Sequence, residues 1–172
     1  MENTDLGYHG YWAKNIYKVN PHFGTEADLK QLVIEAHKRE ILVMIDVVFN
    51  HIGYVNNDDF SGIVPFNKPS HYHEPCDITN EDLQNYNRER IEKCRLFGLP
   101  DINTESEEVK QIFFNWIGDN VIAKYGFDAL RIDTVRHINM RFWKELNEFL
   151  SDAPIYLLGE VFDGNNHAVA EY

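Results

Sequence analysis

The sequence predicts an α/β fold, specifically part of a (β/α)8 barrel, and three observations support this. Apolar, strand-like segments alternate with amphipathic, helix-like segments, which implies parallel strands joined by crossover helices. Most of the connections are short. Polar, reactive residues follow three of the strands, as they do at the C-terminal face of a barrel. The alternative parallel architecture, an open doubly wound sheet, favours a glycine-rich turn after a strand, and the sequence has none.

The first half of the chain predicts a helix followed by a strand. Thr25 and Asp28 have the spacing of a capping box, and an amphipathic helix is expected from there to Arg39. Its apolar face is expected to contain Leu29, Leu32, Val33 and Ala36. The segment Ile41 to Val48 is almost continuously apolar and β-branched, which is typical of a strand buried on both faces.

The second half predicts a helix, a strand, a shorter helix and a last strand. Thr104 and Glu107 form a second potential capping box, and the first of these helices is expected to run to about Lys124. Its inward residues are Val109, Ile112, Phe113 and Ile117. The remaining elements are a strand from Phe127 to Asp133, a helix from Asn139 to Leu150 and a strand from Ile155 to Val161.

A long stretch from Asn50 to Asn103 lacks periodicity, is rich in Asn, Asp, Pro, Tyr and His, and contains both cysteines. A loop of this length is usually functional or forms a subdomain. We therefore predict barrel structure in residues 1–49 and 104–172 and an inserted, loop-rich domain in residues 50–103. A complete barrel takes roughly 250 residues, so 172 residues with about three of the eight strands are predicted to be a piece of one.

The composition excludes several classes of ligand. A formal net charge of −12 argues against nucleic acids and anionic membranes, because phosphate binding needs clustered Lys and Arg. No apolar run is long enough to cross a bilayer, and the first residues do not resemble a signal peptide. Neutral ligands such as sugars, and cations, remain possible. Aromatic residues make up 13% of the chain and suit stacking ligands, although most are expected in the core.

Two carboxylates at strand ends are the leading catalytic candidates. Asp133 shares a strand face with Arg131, which should favour the ionised form of Asp133 and lower its pKa. Glu160 lies among Leu158, Gly159 and Val161, and such apolar neighbours should raise its pKa. An ionised nucleophile beside a protonated acid is typical of a glycosidase, and retaining enzymes hold the two about 5–5.5 Å apart. The alternatives are a structural Arg–Asp pair and a Glu that only caps its strand.

Weaker candidates surround this pair. His51 and His137 follow strand ends and could bind sugar hydroxyls or be satisfied polar residues of the rim. The aromatic cluster YHGYW, which begins at Tyr8, could stack on a ligand or belong to the core. Asn50, Glu92 and Asp101 could bind Ca²⁺ through oxygen atoms, although most acidic residues of the long loop must be solvated.

Taken together, these motifs resemble a known family. DVVFNH, GFDALRIDTVRH and GEVFDG are similar to three conserved regions of the α-amylase family of glycoside hydrolases. The segments GYHGYW, NIYKVNPHFGTEADLK and LPDIN resemble the fungal-type α-amylases. The resemblance extends from about Gly7 to Gly164 and implies that the inserted stretch is the protruding domain B of that family.

The resemblance assigns roles by position. It implies that Asp133 is the nucleophile, that Arg131 orients it and that Glu160 is the general acid/base. The implied substrate-binding residues are Tyr8, His9, Trp12, His51, Arg136, His137, Asp163 and Gly164. Arg136 stands where the fungal-type enzymes often have Lys, so hydrogen bonding there is expected to differ.

The resemblance also implies a structural calcium ion and a disulfide bond. The implied calcium ligands are Asn50, Glu92, Asp101 and the backbone carbonyl of His137. Cys76 and Cys94 match a disulfide pair of the same protruding domain, which implies an oxidising, extracellular setting for the parent protein.

The expected function is retaining endo-hydrolysis of α-1,4-glucosidic bonds in starch- or glycogen-type glucans by a monomeric parent enzyme. The alternatives are an α-glucosidase or a transglycosylase of the same family, or a non-catalytic relative. The family uses a third carboxylate after a later barrel strand, and nothing after Tyr172 supplies it. The 172 residues are therefore expected to be a fragment that is inactive alone.

Overall fold

A computed structural model describes residues 1–153 and 155–172. It contains two small sheets and helices that pack on one of them. The strands are β1 (Glu2–Asn3), β2 (Ala13–Asn15), β3 (Met44–Val47), β4 (Ala129–Ile132) and β5 (Tyr156–Gly159). The α-helices are α1 (Glu26–His37), α2 (Asn80–Gln84), α3 (Arg88–Lys93), α4 (Glu107–Asn115), α5 (Met140–Phe149) and α6 (Asn166–Val169). Single 3₁₀ turns lie at Asn56–Asp58, Phe60–Gly62, Pro69–His71, Leu96–Gly98 and Val135–His137.

The main sheet is parallel, with the strand order β3-β4-β5, and this confirms the predicted alternation of strands and helices. The register pairs Asp46 with Arg131, and Ile132 with Gly159. Strands β1 and β2 form a separate antiparallel pair that the sequence patterns did not predict. The three parallel strands end at the same edge, so the residues that follow them are neighbours in space.

The prediction that Ile41 to Val48 is buried on both faces is wrong for the first half of that segment. Ile41, Leu42 and Met44 are 55%, 77% and 41% exposed, whereas Val47 is fully buried. In the described part of the chain, β3 pairs only with β4 and therefore lies at a sheet edge. The strand is also shorter than predicted, because the Val43 amide donates to the Asp128 carboxylate at 2.7 Å instead of to a strand.

One predicted capping box is confirmed and the other is wrong. Thr25 and Asp28 exchange side-chain and backbone hydrogen bonds at the start of α1. Of the apolar face predicted for this helix, however, only Val33 is fully buried, and Leu32 is 56% exposed. Helix α4 begins after Ser106 and not after Thr104. The helix continues with wider, π-type hydrogen bonding from Trp116 to Tyr125.

Aromatic side chains join the parallel sheet to α4 and α5. Phe49, which follows β3, packs edge-on against Phe113 of α4 and tilted against Phe142 of α5, with ring centroids 5.0 and 5.4 Å apart. All three rings are almost completely buried. Because Phe49 lies two residues after β3, this packing fixes the path of the chain as it leaves the strand.

Residues 50–103 fold into short helices and turns that return to the edge of the sheet where they began. His51 and Asp101 form an antiparallel bridge, and the Ile102 amide donates to the Asn50 carbonyl at 2.8 Å. Cys76 and Cys94 form a disulfide bond with Cα atoms 4.8 Å apart, which confirms the implied pairing. No helix in the described residues is long and apolar enough to cross a membrane.

Candidate active site

The two candidate catalytic carboxylates follow adjacent parallel strands. Asp133 comes directly after β4 and Glu160 directly after β5, one position beyond the paired residues Ile132 and Gly159. The backbone continues the ladder, since the Asp133 amide donates to Val47 at 2.9 Å and the Glu160 amide donates to Ile132 at 2.8 Å. The sheet itself therefore places both carboxylates at its C-terminal edge.

A single guanidinium connects these carboxylates. Arg131 Nη1 donates to Asp133 Oδ1 at 2.9 Å, and Arg131 Nη2 lies 3.0 Å from Glu160 Oε1. Arginine presents its donors in a rigid, planar fork, so a contact with two carboxylates fixes their relative positions. The predicted contact between Arg131 and Asp133 is present.

The predicted direction of the Asp133 pKa shift is wrong. Burial raises the pKa of Asp133 above its ordinary value, and the neighbouring Glu160 carboxyl raises it further, while the contact with Arg131 lowers it. The side chain of Asp133 is only 11% exposed, so loss of hydration outweighs the nearby positive charge.

Glu160 has different surroundings from those its sequence neighbours suggested. Its side chain is 35% exposed, and its two oxygens contact polar partners. Oε1 faces Arg131, and Oε2 accepts a hydrogen bond from the Thr134 amide at 3.2 Å. Leu158 and Gly159 are neighbours in the chain, but the carboxylate reaches past them to β4. The apolar chain neighbours of Glu160 are therefore not what its oxygen atoms contact.

The structure adds Asp46 to the site and gives Tyr11, a member of the predicted aromatic cluster, a specific partner there. Asp46 of β3 accepts from Arg131 Nη1 at 3.0 Å through Oδ1. The Tyr11 hydroxyl donates to Asp46 Oδ2 at 2.9 Å, and the Arg131 guanidinium carbon lies 5.9 Å from the Tyr11 ring centroid. One sequence feature could have indicated Asp46. It is an acidic residue inside an apolar strand, and such a residue usually requires a partner.

A groove of 490 Å³ opens beside Glu160. Its walls include Arg136, Asp163 and the exposed rings of Phe97 and Phe162, which are 82% and 87% exposed. Arg136 and Asp163 form an ion pair of 2.9 Å whose side chains are only 13% and 6% exposed. The groove thus combines a buried, charged floor with solvent-exposed aromatic edges.

Comparison with known proteins agrees with this geometry. Residues 2–172 match the protein family described as "Alpha amylase, catalytic domain". The chain belongs to the α-amylase family. It is 40% identical to an α-amylase of Saccharomycopsis fibuligera over 169 residues, which cover 95% of this chain and 33% of that protein. It is 42% identical to α-amylase 2 of Schwanniomyces occidentalis, with 95% and 32% covered.

Solved α-amylase structures have the same fold as this chain. The α-amylase of Malbranchea cinnamomea superposes with a TM-score of 0.86 at 37% identity, covering 97% of this chain and 36% of that structure. The α-amylase of Geobacillus thermoleovorans, solved as a complex with acarbose, superposes with a TM-score of 0.87 at 36% identity. That match covers 100% of this chain and 37% of the other, so the chain spans about a third of the length of its relatives.

The aromatic segment implied by the α-amylase resemblance divides into two parts. Tyr8 is 89% exposed and touches His9 edge-on, with ring centroids 5.3 Å apart. Tyr11, and not Tyr8, reaches the carboxylate cluster. The rings of His9 and Trp12 pack edge-on against each other, with centroids 4.7 Å apart. Of the two tyrosines, Tyr11 is therefore the one that contacts the residues around Asp133.

The two histidines of the α-amylase motifs are both buried. His51 is 4% exposed, and burial lowers its pKa to about 4. His137 is 9% exposed, its Nδ1 lies 3.2 Å from the Ile91 carbonyl, and burial lowers its pKa to about 4. Both rings are therefore neutral at pH 7. Like Arg136 and Asp163, the predicted residues His137 and Gly164 line the groove beside Glu160.

Oxygen atoms from three of the four implied calcium ligands lie close together. The Asn50 side-chain oxygen faces Asp101 Oδ1 at 3.3 Å and the His137 carbonyl oxygen at 2.8 Å. An amide turned the other way would donate to both atoms, so this arrangement fits either hydrogen bonds or a cation. The Glu92 carboxylate accepts from Arg88 at 2.8 Å. No cluster of three or more His, Cys, Asp or Glu side chains suited to a metal occurs in the described residues.

Proposed function

We propose that the protein containing this chain hydrolyses internal α-1,4-glucosidic bonds of starch- or glycogen-type glucans and retains the anomeric configuration. The observation that carries the proposal is the pair Asp133 and Glu160, held at adjacent strand ends by one guanidinium. Membership of the α-amylase family supports the substrate class. Because the chain spans about a third of its relatives, the activity is assigned to the full-length protein that carries it.

In the proposed reaction, Asp133 and Glu160 act in two steps. An oxygen of Asp133 attacks the anomeric carbon, the bond to the leaving glucan breaks, and the Glu160 proton passes to the leaving oxygen. Water then attacks the same carbon and gives its proton to Glu160, which releases Asp133. Arg131 restricts the Asp133 carboxylate to one orientation, so that an attacking oxygen is already placed when sugar binds.

The groove beside Glu160 suits the leaving part of the glucan. It lies on the side of the acid, where the departing oxygen must be, and Arg136, His137, Asp163 and Gly164 line it. The buried ion pair between Arg136 and Asp163 fixes the groove floor without depending on substrate. On the other side of the carboxylates, we assign His9, Trp12 and His51 to sugar binding, together with Tyr11 in preference to Tyr8.

We also propose the surrounding organisation that the resemblance implies. Residues 1–49 and 104–172 belong to a (β/α)8 barrel, and residues 50–103 form the inserted domain B. Calcium held by Asn50, Glu92, Asp101 and the His137 carbonyl would neutralise these oxygens and join domain B to the barrel. The disulfide bond supports secretion of the enzyme, which we propose acts as a monomer.

The test uses Asp133→Asn and Glu160→Gln in the full-length protein, with soluble starch as substrate. Each variant is expected to lose at least roughly 10²–10⁴ in kcat, the range that an essential acid or base supplies. The matched control is Asp128→Asn, which alters a carboxylate near the opposite end of the same strand, where it binds His37. A loss of only a few-fold in both variants contradicts the proposed roles, and first products of the β configuration contradict retention.

One observation favours a second activity, transfer of the glucosyl group to another sugar. The exposed rings of Phe97 and Phe162 flank the groove where either water or an acceptor would approach. An apolar wall disfavours water and stacks well on a sugar face. Phe162→Asp should lower the ratio of transfer products to hydrolysis products from maltotriose, and an unchanged ratio argues for hydrolysis alone.

A further inference from the structure

The turn Leu96–Gly98, the Phe97 turn, presents an aromatic ring to the groove of 490 Å³. The Leu99 amide donates to the Leu96 carbonyl at 3.1 Å and closes the turn. Phe97, in its middle, has backbone angles φ 53° and ψ 32°, and Gly98 follows with φ 75°. The Phe97 ring is 82% exposed. The turn therefore directs this ring towards the groove proposed for the leaving part of the glucan.

Folding by itself does not account for the conformation of Phe97. A residue other than glycine is strained in the left-handed region, and it persists there only where its surroundings fix it. The Phe97 ring adds little burial in return, because most of it faces water. Strained residues of this kind cluster at binding and catalytic sites. The conformation therefore indicates contacts that hold the turn and a role for the ring outside the core.

Two side chains from residues 54–58 hold the Phe97 turn. The Tyr54 hydroxyl donates a hydrogen bond to the Phe97 carbonyl. Before the turn, Arg95 Nη2 donates to Asp58 Oδ2 at 2.8 Å, and the Arg95 side chain is only 18% exposed. The turn is thus fixed at two points by one neighbouring segment.

Tyr54 also reaches the aromatic segment before β2. Its ring packs edge-on against Trp12, with centroids 4.7 Å apart, and Trp12 packs edge-on against His9 at the same separation. The Tyr54 ring also lies beside Gly98, 3.7 Å from the position of a Cβ atom there. One side chain therefore contacts the aromatic segment with its ring and the Phe97 turn with its hydroxyl. It connects the two segments proposed to bind sugar on either side of the carboxylates.

We propose that Tyr54 is a positioning residue that fixes the Phe97 turn, and that the Phe97 ring held in this way determines specificity for the first sugars of the leaving glucan. This inference rests on the proposed function and deepens it. An aromatic ring offers a large, rigid apolar face for stacking. A ring that is fixed in advance loses less conformational entropy when sugar binds. The Phe97 turn therefore favours glucans that extend past the cleaved bond over substrates that end at it.

The first experiment compares two substrates in full-length Tyr54→Phe. Amylose places sugars on the side of the acid, whereas α-maltotriosyl fluoride has fluoride as its leaving group and places none there. The variant removes one partly exposed hydroxyl and keeps the ring that packs on Trp12. Its kcat/KM on amylose should fall roughly three- to tenfold, the effect of losing one hydrogen bond, and its kcat/KM on the fluoride should not change. Equal losses on both substrates, or no loss on amylose, overturn the proposal.

The second experiment uses Phe97→Asn, which removes the ring. Asn adopts left-handed backbone more readily than Phe, so the thermal midpoint should be unchanged or higher. The kcat/KM on amylose should fall roughly three- to tenfold, the effect of losing one stacking contact, and that on α-maltotriosyl fluoride should stay at the wild-type value. A wild-type kcat/KM on amylose overturns the proposal.

The double variant Tyr54→Phe/Phe97→Asn tests whether the hydroxyl acts through the ring. If it does, the double variant should be no slower on amylose than Phe97→Asn alone, because the two changes remove one and the same contribution. Losses that multiply would mean that Tyr54 acts independently of Phe97, and would overturn the positioning role.

A third measurement does not depend on activity. The Leu99 amide closes the Phe97 turn, so its hydrogen exchange reports opening of the turn. In Tyr54→Phe this exchange should be roughly three- to tenfold faster, and an unchanged rate overturns the proposal. If the wild type hydrolyses neither substrate, the proposed function fails, and the exchange rate alone then decides whether Tyr54 fixes the turn.

Tyr156→Phe serves as the matched control, since it makes the same chemical change at another exposed tyrosine. Tyr156 is the first residue of β5, at the end of the strand opposite Glu160, and is 64% exposed. Both kcat/KM values and the Leu99 exchange rate should match the wild type. A loss on amylose equal to that of Tyr54→Phe would mean that the effect does not come from the Phe97 turn, and would overturn the proposal.

Discussion

Arg131 and Asp133 lie two residues apart on one side of β4, and Arg131 Nη1 donates to Asp133 Oδ1 at 2.9 Å. The same guanidinium reaches Glu160 on the next strand at 3.0 Å through its other terminal nitrogen. Because one planar group contacts both carboxylates, it fixes the position of the Asp133 oxygens relative to those of Glu160. Precise placement of the pair therefore depends on the shape of Arg131 as well as on its charge.

Arg131→Lys should consequently impair catalysis although it keeps the positive charge. A single ammonium cannot reproduce contacts made from two nitrogens of a fork. We expect kcat on soluble starch to fall roughly 10²-fold through misplacement of Asp133, with the thermal midpoint nearly unchanged. Arg141→Lys is the control, because Arg141 is 73% exposed and pairs with Glu145 on its own helix. Equal activity of the two variants would contradict a geometric role for Arg131.

The acid limb of kcat/KM should report the raised pKa of Asp133. In its proposed role as nucleophile Asp133 must be ionised, so the rate should fall as the pH falls through its pKa. Because burial raises that pKa, the fall should begin above the ordinary Asp value of about 3.9. Arg131→Gln removes the group that lowers the pKa, so the limb should move to higher pH. A limb that moves to lower pH in Arg131→Gln would contradict the assignment.

Calcium should stabilise the full-length protein if the oxygens of Asn50 and Asp101 belong to a cation site. A ligand that binds only the folded state stabilises it by about 2.7 kcal/mol at 100 times its Kd. A chelator should therefore lower the thermal midpoint of the wild type. Asp101→Ala should abolish that difference, whereas Glu74→Gln, which alters an exposed acid of the same region, should retain it. An unchanged midpoint in the wild type would argue for hydrogen bonds alone at Asn50.

The disulfide bond should stabilise residues 50–103. Cys76 and Cys94 are separated by 18 positions, and closing a loop of that size contributes about 3 kcal/mol in the chain-entropy model. The double variant Cys76→Ser/Cys94→Ser should unfold at lower denaturant concentration than the wild type. A reducing agent should lower the wild-type midpoint towards that of the variant and leave the variant unchanged. Equal midpoints under oxidising conditions would show that the bond adds no stability.

Local patterns predicted much of the fold and only part of the site. The alternation of apolar runs with amphipathic segments was sufficient to predict the parallel sheet and helix α5. Asn139 caps the start of α5 through its side chain, as the sequence suggested. Burial was predicted less well. Leu42 is 77% exposed, although it lies in a segment whose apolar sequence is typical of a buried strand. Burial depends on which other elements cover the sheet, and a single segment does not show this. The start of α4 was misplaced because Ser106 and Thr104 are both acceptable caps in sequence terms.

The sequence by itself determined that Asp133 and Glu160 follow strands and that Arg131 shares a face with Asp133, because a strand has a fixed repeat of two. Only the tertiary structure decided that Asp46 stands opposite Arg131 and that Tyr11 reaches the cluster in place of Tyr8. Strand register and loop paths are not local properties. The direction of the Asp133 pKa shift was likewise decided in three dimensions, because the neighbouring charge is visible in sequence whereas the loss of water around a carboxylate is not.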